Sequence, residues 1–127
     1  MDKVIHSTGE LPVSTIYSQA VEGGGLIFLS GAGPIRPGDH AVETGDIKKS
    51  TELVLSNIEK ILKCAGSGLD RVIKVTIYLK DMGDFKSVNE VYTKFFPNNP
   101  PARTCVAVKE LPFNFNVEIE AIALKGK

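Results

Sequence analysis

The segment that most constrains the fold is NVEIEAIAL, residues 116–124, because its two alternating rows of side chains differ in character. Neighbouring side chains of a β-strand point to opposite faces of the sheet. One row is apolar throughout and suits a packed core: Val117, Ile119, Ala121 and Ala123. The other row mixes carboxylates with large apolar groups: Glu118, Glu120, Ile122 and Leu124. We therefore expect the second row to face a subunit interface with a polar pocket at one end.

The rest of the chain supplies further strands and two amphipathic helices. Strands are predicted at four places: 16–21, 26–31, 71–80 and 103–109. Glycines 23–25 form the turn of a hairpin between the first two strands. One helix is predicted over 46–65, and a second begins after Asp81 or Asp84 and ends before Pro97. This order predicts an α+β fold, a single sheet with two helices on one face.

Arg103 lies at the start of a predicted apolar strand, directly after a loop rich in proline. A half-buried guanidinium is costly unless it meets an anion, so Arg103 is either a solvated edge residue or half of a binding site. Alternation in this strand sends Val106 and Val108 towards the helices and Arg103 and Cys105 towards the mixed face. We therefore expect Arg103 to share a face with a glutamate.

Length and composition exclude several classes of protein. The 127 residues fit one domain, 1–127, and fifteen basic residues balance fifteen acidic ones, so neither nucleic acid nor a membrane surface is an expected partner. No apolar run approaches the roughly 20 residues of a membrane helix, and no signal peptide is visible. Cys64 and Cys105 form neither a CxxC pair nor a zinc spacing. We expect a reduced, cytosolic location, with mitochondria left open.

Six segments, in order, give the chain a resemblance to the RidA (YjgF/YER057c/UK114) family. They are YSQAV (17–21), LIFLSG (26–31), VIKVTIYLKDM (72–82), VNEVYTKFF (88–96), PARTCVAV (101–108) and VEIEAIA (117–123). Each segment is a weak signal alone, but six in the right order and spacing are specific. The resemblance implies the chorismate-mutase-like α+β fold and a homotrimer, with sheets packed inside, helices outside and ligand clefts between subunits.

The resemblance also implies an activity. Members that carry the arginine are 2-iminoacid deaminases, which hydrolyse 2-iminopropanoate and 2-iminobutanoate to 2-keto acids and ammonia. This reaction limits damage to pyridoxal-phosphate enzymes. The sequence contains no phosphate loop, zinc motif or nucleophile elbow, and hydrolysis of an activated imine needs no cofactor, so we expect neither metal nor cofactor. The expected partner is a small-molecule 2-imino acid.

Three residues are candidates for the chemistry: Arg103, Glu118 and Cys105. The Arg103 guanidinium can hold the substrate carboxylate through two parallel hydrogen bonds; the ordinary alternative is a salt bridge. By resemblance, Glu118 holds the attacking water together with the backbone carbonyl of Cys105, and Glu120 is the alternative carboxylate. A thiol without a neighbouring base is a poor nucleophile, so the contribution of Cys105 is expected from its backbone.

Three further residues are candidates for substrate binding: Tyr17, Ser30 and Gly31. Tyr17 offers an apolar wall and a hydroxyl, and by the family pattern it comes from the neighbouring subunit's side of the cleft. Gly31 lets its backbone N–H approach a ligand closely. The alternatives are a strand-edge tyrosine and a turn glycine. The sequence also places Asn89 and Tyr92 in a family-like helix, where packing or capping is the expected role.

Two departures from the family pattern border the expected cleft. Thr15 and Ile16 stand where many relatives have Gly-Pro, and Ala32 and Gly33 follow the Ser-Gly pair where many have glutamine. Because of these changes, the resemblance does not determine which substrate side chain the cleft prefers. They are also compatible with a second hypothesis, in which the protein binds small carboxylates without catalysis. An RNA-cleaving translation inhibitor or a chaperone-like protein is a third reading.

Overall fold

A computed structural model describes residues 2–126 and contains six strands and two α-helices. In chain order they are β1 Val4–His6, β2 Ala20–Gly23, β3 Leu26–Leu29, α1 Ile47–Cys64, β4 Val72–Leu79, α2 Phe85–Phe95, β5 Ala102–Ala107 and β6 Val117–Leu124. The strands form one mixed sheet in the order β1-β2-β3-β6-β4-β5. Every neighbouring pair is antiparallel except β4 and β5, which are parallel. The predicted α+β layout, one sheet with two helices, is confirmed.

Both helices form where the apolar periodicity places them. The Asp46 carboxylate accepts hydrogen bonds from the backbone N–H groups of Lys48 and Lys49, at 2.9 and 3.4 Å, and so caps α1. The helix ends before Gly66, which has a positive φ of 78°. At the second helix, Asp81 caps the short 3₁₀ turn Met82–Asp84, and Asp84 stands at the N-terminus of α2 without a side-chain capping bond.

The two rows of β6 differ in burial as the sequence predicts. Its apolar row lies at most 3% exposed beneath the helices, whereas Glu118, Glu120 and Ile122 are partly exposed on the opposite side. We call that opposite side of the sheet the open face. β4 continues the pattern, since Val75 and Ile77 are buried beneath the helices and Tyr78 lies on the open face beside Glu118.

In the N-terminal half, one strand prediction was wrong and one strand was not predicted. The segment 16–21 is not a strand over its length: β2 begins at Ala20, and Ile16 and Tyr17 are exposed outside the sheet. The reason is Gln19, whose buried amide donates to the backbone carbonyls of Leu11 and Pro12 and so holds this segment as a loop. The sequence analysis also missed β1, which pairs with β2.

Strict alternation through the predicted strand 71–80 places Ile73 on the same face as Val75 and Ile77, and a β-bulge makes this expectation wrong. The register with β6 shifts between Val72 and Lys74. As a result Val72 is buried and Ile73 is 41% exposed, the reverse of simple alternation.

The face assignment of β5 was also wrong. Its parallel register places Arg103 beside Val75 and Cys105 beside Ile77, which both face the helices. Val106 instead lies beside Tyr78 on the open face and is 41% exposed. The register with β4, rather than the apolar character of Val106 and Val108, decides which way this edge strand faces. Arg103 and Glu118 therefore lie on opposite faces of one sheet.

Candidate functional site

The candidate residues form two separate groups. The arginine group consists of Arg103 on β5 with Phe85, Asn89 and Tyr92 on α2. The glutamate group consists of Glu118 on β6 with Tyr17, Ser30 and Gly31 from the N-terminal half. Strand β4 lies between β5 and β6 in the sheet.

The arginine group surrounds the guanidinium with uncharged partners. Nη1 of Arg103 donates a 2.7 Å hydrogen bond to Oδ1 of Asn89. The guanidinium carbon lies 4.8 Å from the ring centroid of Tyr92 and 5.6 Å from that of Phe85, within the range of cation–π attraction. Within residues 2–126, no carboxylate forms a salt bridge with Arg103. Its positive charge is therefore uncompensated within the described part of the chain.

Cys105 lies next to this group and packs partly against the core. Burial raises the pKa of the Cys105 thiol, and the positive charge of Arg103 opposes that rise only in part. The thiol therefore stays protonated near neutral pH, which argues against a nucleophilic role. Both cysteines of the chain are free.

Gly31 brings the backbone of the glutamate group close to the carboxylate. After β3 the chain continues beside β6, and Ala32 and Ile119 exchange two backbone hydrogen bonds of 2.8 and 3.0 Å. A Cβ atom on Gly31 would lie 2.5 Å from Oε2 of Glu118. With glycine at this position the carboxylate can stay in place, and the exposed Gly31 backbone lies next to it.

The two glutamates of the open face have different surroundings. Tyr78 donates a short hydrogen bond from its hydroxyl to Glu120, which raises the pKa of Tyr78. Glu118 has no side-chain hydrogen bond to any residue from 2 to 126, and partial burial raises its pKa, with the Glu120 charge adding to the rise. Glu118 is thus the carboxylate with free oxygens and with an increased tendency to hold a proton.

A cavity of about 740 Å³ connects the members of the glutamate group. It is lined by Tyr17, Ser30, Gly31 and Glu118, and an apolar wall completes it: Pro12, Val13, Ile16, Ile35, Val42 and Phe113. The Ser30 hydroxyl already donates a 2.6 Å hydrogen bond to the Ser18 carbonyl, so its proton positions the loop. Arg103 does not line this cavity.

The structure therefore brings together four of the six predicted site residues and leaves Arg103 and Cys105 outside. It also places Phe85 and the amide of Asn89 around the Arg103 guanidinium, a role that was not predicted from the sequence. The signal was present in the sequence. Positions 85, 89 and 92 are spaced by four and three and share one helix face, so an amide interrupts an otherwise apolar stripe.

Residues 2–126 contain neither a membrane-spanning helix nor a cluster of metal-ligating side chains. No α-helix there has the length and apolar character needed to cross a bilayer. No three side chains of His, Cys, Asp or Glu in that range converge as a metal site would require.

Comparison with known proteins adds the following. Residues 8–125 match the family described as Endoribonuclease L-PSP. A RutC family protein of Pyrococcus horikoshii is 50% identical over 109 residues, which is 86% of each chain. The chloroplastic Reactive Intermediate Deaminase A of Arabidopsis thaliana is 42% identical over 122 residues, 95% of this chain and 65% of that protein. The crystal structure of E. coli TdcF with bound serine superimposes with a TM-score of 0.90 at 35% identity, covering 97% of this chain and 99% of the other.

Proposed function

The chain belongs to the RidA/YjgF family, whose description is Endoribonuclease L-PSP, and from this premise we propose that it is a hydrolytic deaminase of small 2-imino acids. The substrates would be 2-iminopropanoate and 2-iminobutanoate, and the products 2-keto acids and ammonia. The observation that carries the proposal is Arg103, a half-buried cation held by uncharged groups, which suits a small carboxylate. Removing such imines would protect pyridoxal-phosphate enzymes, in the cytosol by our expectation; the Arabidopsis relative is named chloroplastic.

The separation of the two groups supports a site shared between subunits. In a homotrimer with the open faces packed inside, the arginine group of one subunit would meet the glutamate group of the next. The open face has a surface suited to such packing. Side chains that are exposed or half-buried form a row across four adjacent strands: Ile5, Val21, Phe28 and Ile122. Adjacent exposed apolar side chains of this kind are typical of an interface.

The proposed chemistry begins with binding. Arg103 holds the substrate carboxylate through two hydrogen bonds and so fixes the position of the imine carbon. The backbone N–H of Gly31 and the ring of Tyr17 would line the opposite wall. The backbone carbonyl of Cys105 and the carboxylate of Glu118 would hold the attacking water.

Hydrolysis then needs one group that moves protons. The water oxygen forms a bond to the imine carbon while Glu118 takes a proton from it. The C=N π electrons move to the nitrogen, to which Glu118 returns this proton. Glu118 then transfers the hydroxyl proton of the adduct to the same nitrogen, and the C–N bond breaks as the C=O bond forms and ammonia leaves. The raised pKa of Glu118 suits both directions of transfer, because it makes the carboxylate a stronger base towards water and increases the protonated fraction that can donate to nitrogen. Glu120, which accepts from Tyr78, has less freedom for this task.

A coupled assay tests the proposal. Threonine dehydratase generates 2-iminobutanoate from threonine, semicarbazide traps the free imine, and the purified protein competes for it. We expect the parent protein to lower the trapped fraction and the Arg103→Ala variant to leave it unchanged. A folded, oligomeric parent that does not affect the trapped fraction would contradict the proposal.

The second candidate function is binding of a small carboxylate without turnover. It is favoured by the exposed side chain of Ile16, which lines the cavity at a position where the sequence departs from the family pattern. The same assay separates the two, since a pure binding protein would bind 2-oxobutanoate in calorimetry yet leave the trapped imine unchanged. An RNA-cleaving role finds no catalytic pair here, because His6 is bonded to Glu22 and His40 lies on a loop beside the Glu10 carbonyl.

A further inference from the structure

We propose that Asn89 is a positioning residue that holds Arg103 without neutralising it, so that the choice of an amide over a carboxylate at position 89 sets the anion affinity of the site. This inference rests on the proposed function, because it treats Arg103 as the carboxylate-binding group. We call the side chains of Asn89, Tyr92 and Phe85 the neutral cradle.

The neutral cradle holds the Arg103 guanidinium from one face of α2. Positions 85, 89 and 92 lie on one face of α2, and all three side chains contact the same guanidinium. The aromatic faces restrain the plane of the guanidinium, and the 2.7 Å bond to Asn89 restrains its rotation. The cradle therefore fixes both the tilt and the direction of the group.

The cradle uses only part of the hydrogen-bonding capacity of Arg103. A guanidinium has five N–H groups, and Asn89 takes one at Nη1. Within residues 2–126, neither Nε nor Nη2 of Arg103 donates to a protein acceptor. The guanidinium edge formed by Nε and Nη2 thus has a fixed orientation, and its N–H groups are available for two parallel bonds to a carboxylate.

The cradle bonds the guanidinium without adding a negative charge. Arg36 shows the alternative within the same chain: its guanidinium lies 2.5 Å from Asp39 and 3.6 Å from Glu43, and both carboxylates compensate it. The amide of Asn89 accepts a hydrogen bond as a carboxylate would, but it carries no charge. An aspartate at position 89 would keep the bond and the packing volume, and it would compete with the substrate for the cation.

The experiment compares three variants of the full chain: Asn89→Asp, Asn89→Ala and Asn98→Asp. Asn98 is exposed in the loop after α2, and its replacement makes the same change in net charge outside the cradle. The probe is 2-oxobutanoate, the stable keto-acid product, and its Kd is measured by calorimetry. Thermal unfolding, the oligomeric state and steady-state deaminase kinetics are measured alongside.

We expect Asn89→Asp to unfold at or above the parent Tm and to bind 2-oxobutanoate ~10–100-fold more weakly, because a charge-assisted bond replaces a neutral one. Asn89→Ala should weaken binding by ~3–10-fold through loss of positioning alone. Asn98→Asp should stay within about twofold, since it lies at the exposed surface. In the kinetics, the Asn89→Asp loss should appear in KM more than in kcat.

A purely structural role predicts a different order, in which Asn89→Ala is the more damaging change and Asn89→Asp binds like the parent. That order would overturn the inference. A parent that binds 2-oxobutanoate with the expected dependence on position 89 but does not consume imine would refute the deaminase and leave the cradle standing. A parent that consumes imine while all three variants match it would refute the cradle alone. A parent that neither binds nor consumes would refute both.

Discussion

The arginine group and the glutamate group have opposite effects on the ionisation of their charged residues. Arg103 lies among two aromatic rings and an amide, so its charge is kept, and no carboxylate within residues 2–126 compensates it. Glu118 lies half-buried near a second carboxylate, so its charge is made costly and its pKa rises. The first environment suits a group that must stay ionised to bind, and the second suits a group that must gain and lose a proton. On the proposed function, a single chain would thus contain a binding half and a proton-transfer half, built by different physical means.

Removing the charge from the arginine group should have the largest effect. Arg103→Ala is expected to lower kcat/KM for 2-iminobutanoate by ~10³-fold, because it deletes the bidentate anchor for the carboxylate. Arg103→Lys keeps a point charge without the fork and should recover only part of the loss. The semicarbazide assay gives both values, and circular dichroism checks the fold. Equal activity of the lysine variant and the parent would show that charge alone suffices.

Removing the titrating group from the glutamate group should come next. Glu118→Gln is expected to lower kcat by ~10²-fold while leaving the Kd for 2-oxobutanoate within about threefold, because proton transfer is lost and the anchor is kept. Glu120→Gln is the matched control on the same face and should lose much less. If Glu120→Gln proves the more damaging of the two, the roles of the glutamates are exchanged.

A smaller effect is expected from adding one methyl group to the glutamate group. In Gly31→Ala the new Cβ would lie 2.5 Å from Oε2 of Glu118, so the carboxylate must move. We expect kcat to fall about tenfold through misplacement of the base. Stability should change little, because the displaced atom is the end of a flexible side chain. Gly45→Ala is the control, since a Cβ there meets nothing within 4 Å. Parent-like kcat in Gly31→Ala would contradict the placement of Glu118.

The pH dependence of stability should show the smallest effect. Partial burial raises the pKa of Glu118 above its ordinary value of 4.5, so the folded state holds this proton more tightly than the unfolded state does. The free energy of unfolding should therefore fall as pH rises from about 4.5 through the raised pKa. Glu118→Gln should remove this decline. Denaturant titrations between pH 4 and 8 measure it, and identical curves for parent and variant would refute the assignment.

The parts of the fold that sequence could predict are those in which one face is plainly apolar. The rows of β6 and the stripe of α1 met this condition, and both were predicted correctly. The face of β5 could not be predicted, because Val106 and Val108 look like core residues on an edge strand whose register is set by β4. Likewise, no local sequence pattern indicates that the Gln19 side chain is hydrogen-bonded to residues 8–12. None indicates that a bulge exchanges the burial of Val72 and Ile73.

For the candidate site, the sequence indicated residue types better than their arrangement. The residues around the cavity, such as Gly31 and Glu118, were named from the family resemblance, and their proximity is a matter of strand register. The position of Arg103 on the opposite face depends on a different register, that of β5 with β4, and therefore could not be predicted. The contact between Asn89 and Arg103 needed the helix face and the strand face together, which no single pattern supplies.

The parallel pairing of β4 and β5 has a consequence for how the molecule assembles and for how it can be rebuilt. Parallel neighbours require a crossover, and here the crossover is α2, so cation and cradle belong to one contiguous β-α-β segment, 72–107. Asn89 and Arg103 are only 14 residues apart, whereas the glutamate group spans from Tyr17 to Glu118. Contacts between sequence neighbours close with less loss of chain entropy, so this segment should fold before the rest of the site. A chimera that receives residues 72–107 from a relative would receive Arg103 and the neutral cradle together in one segment.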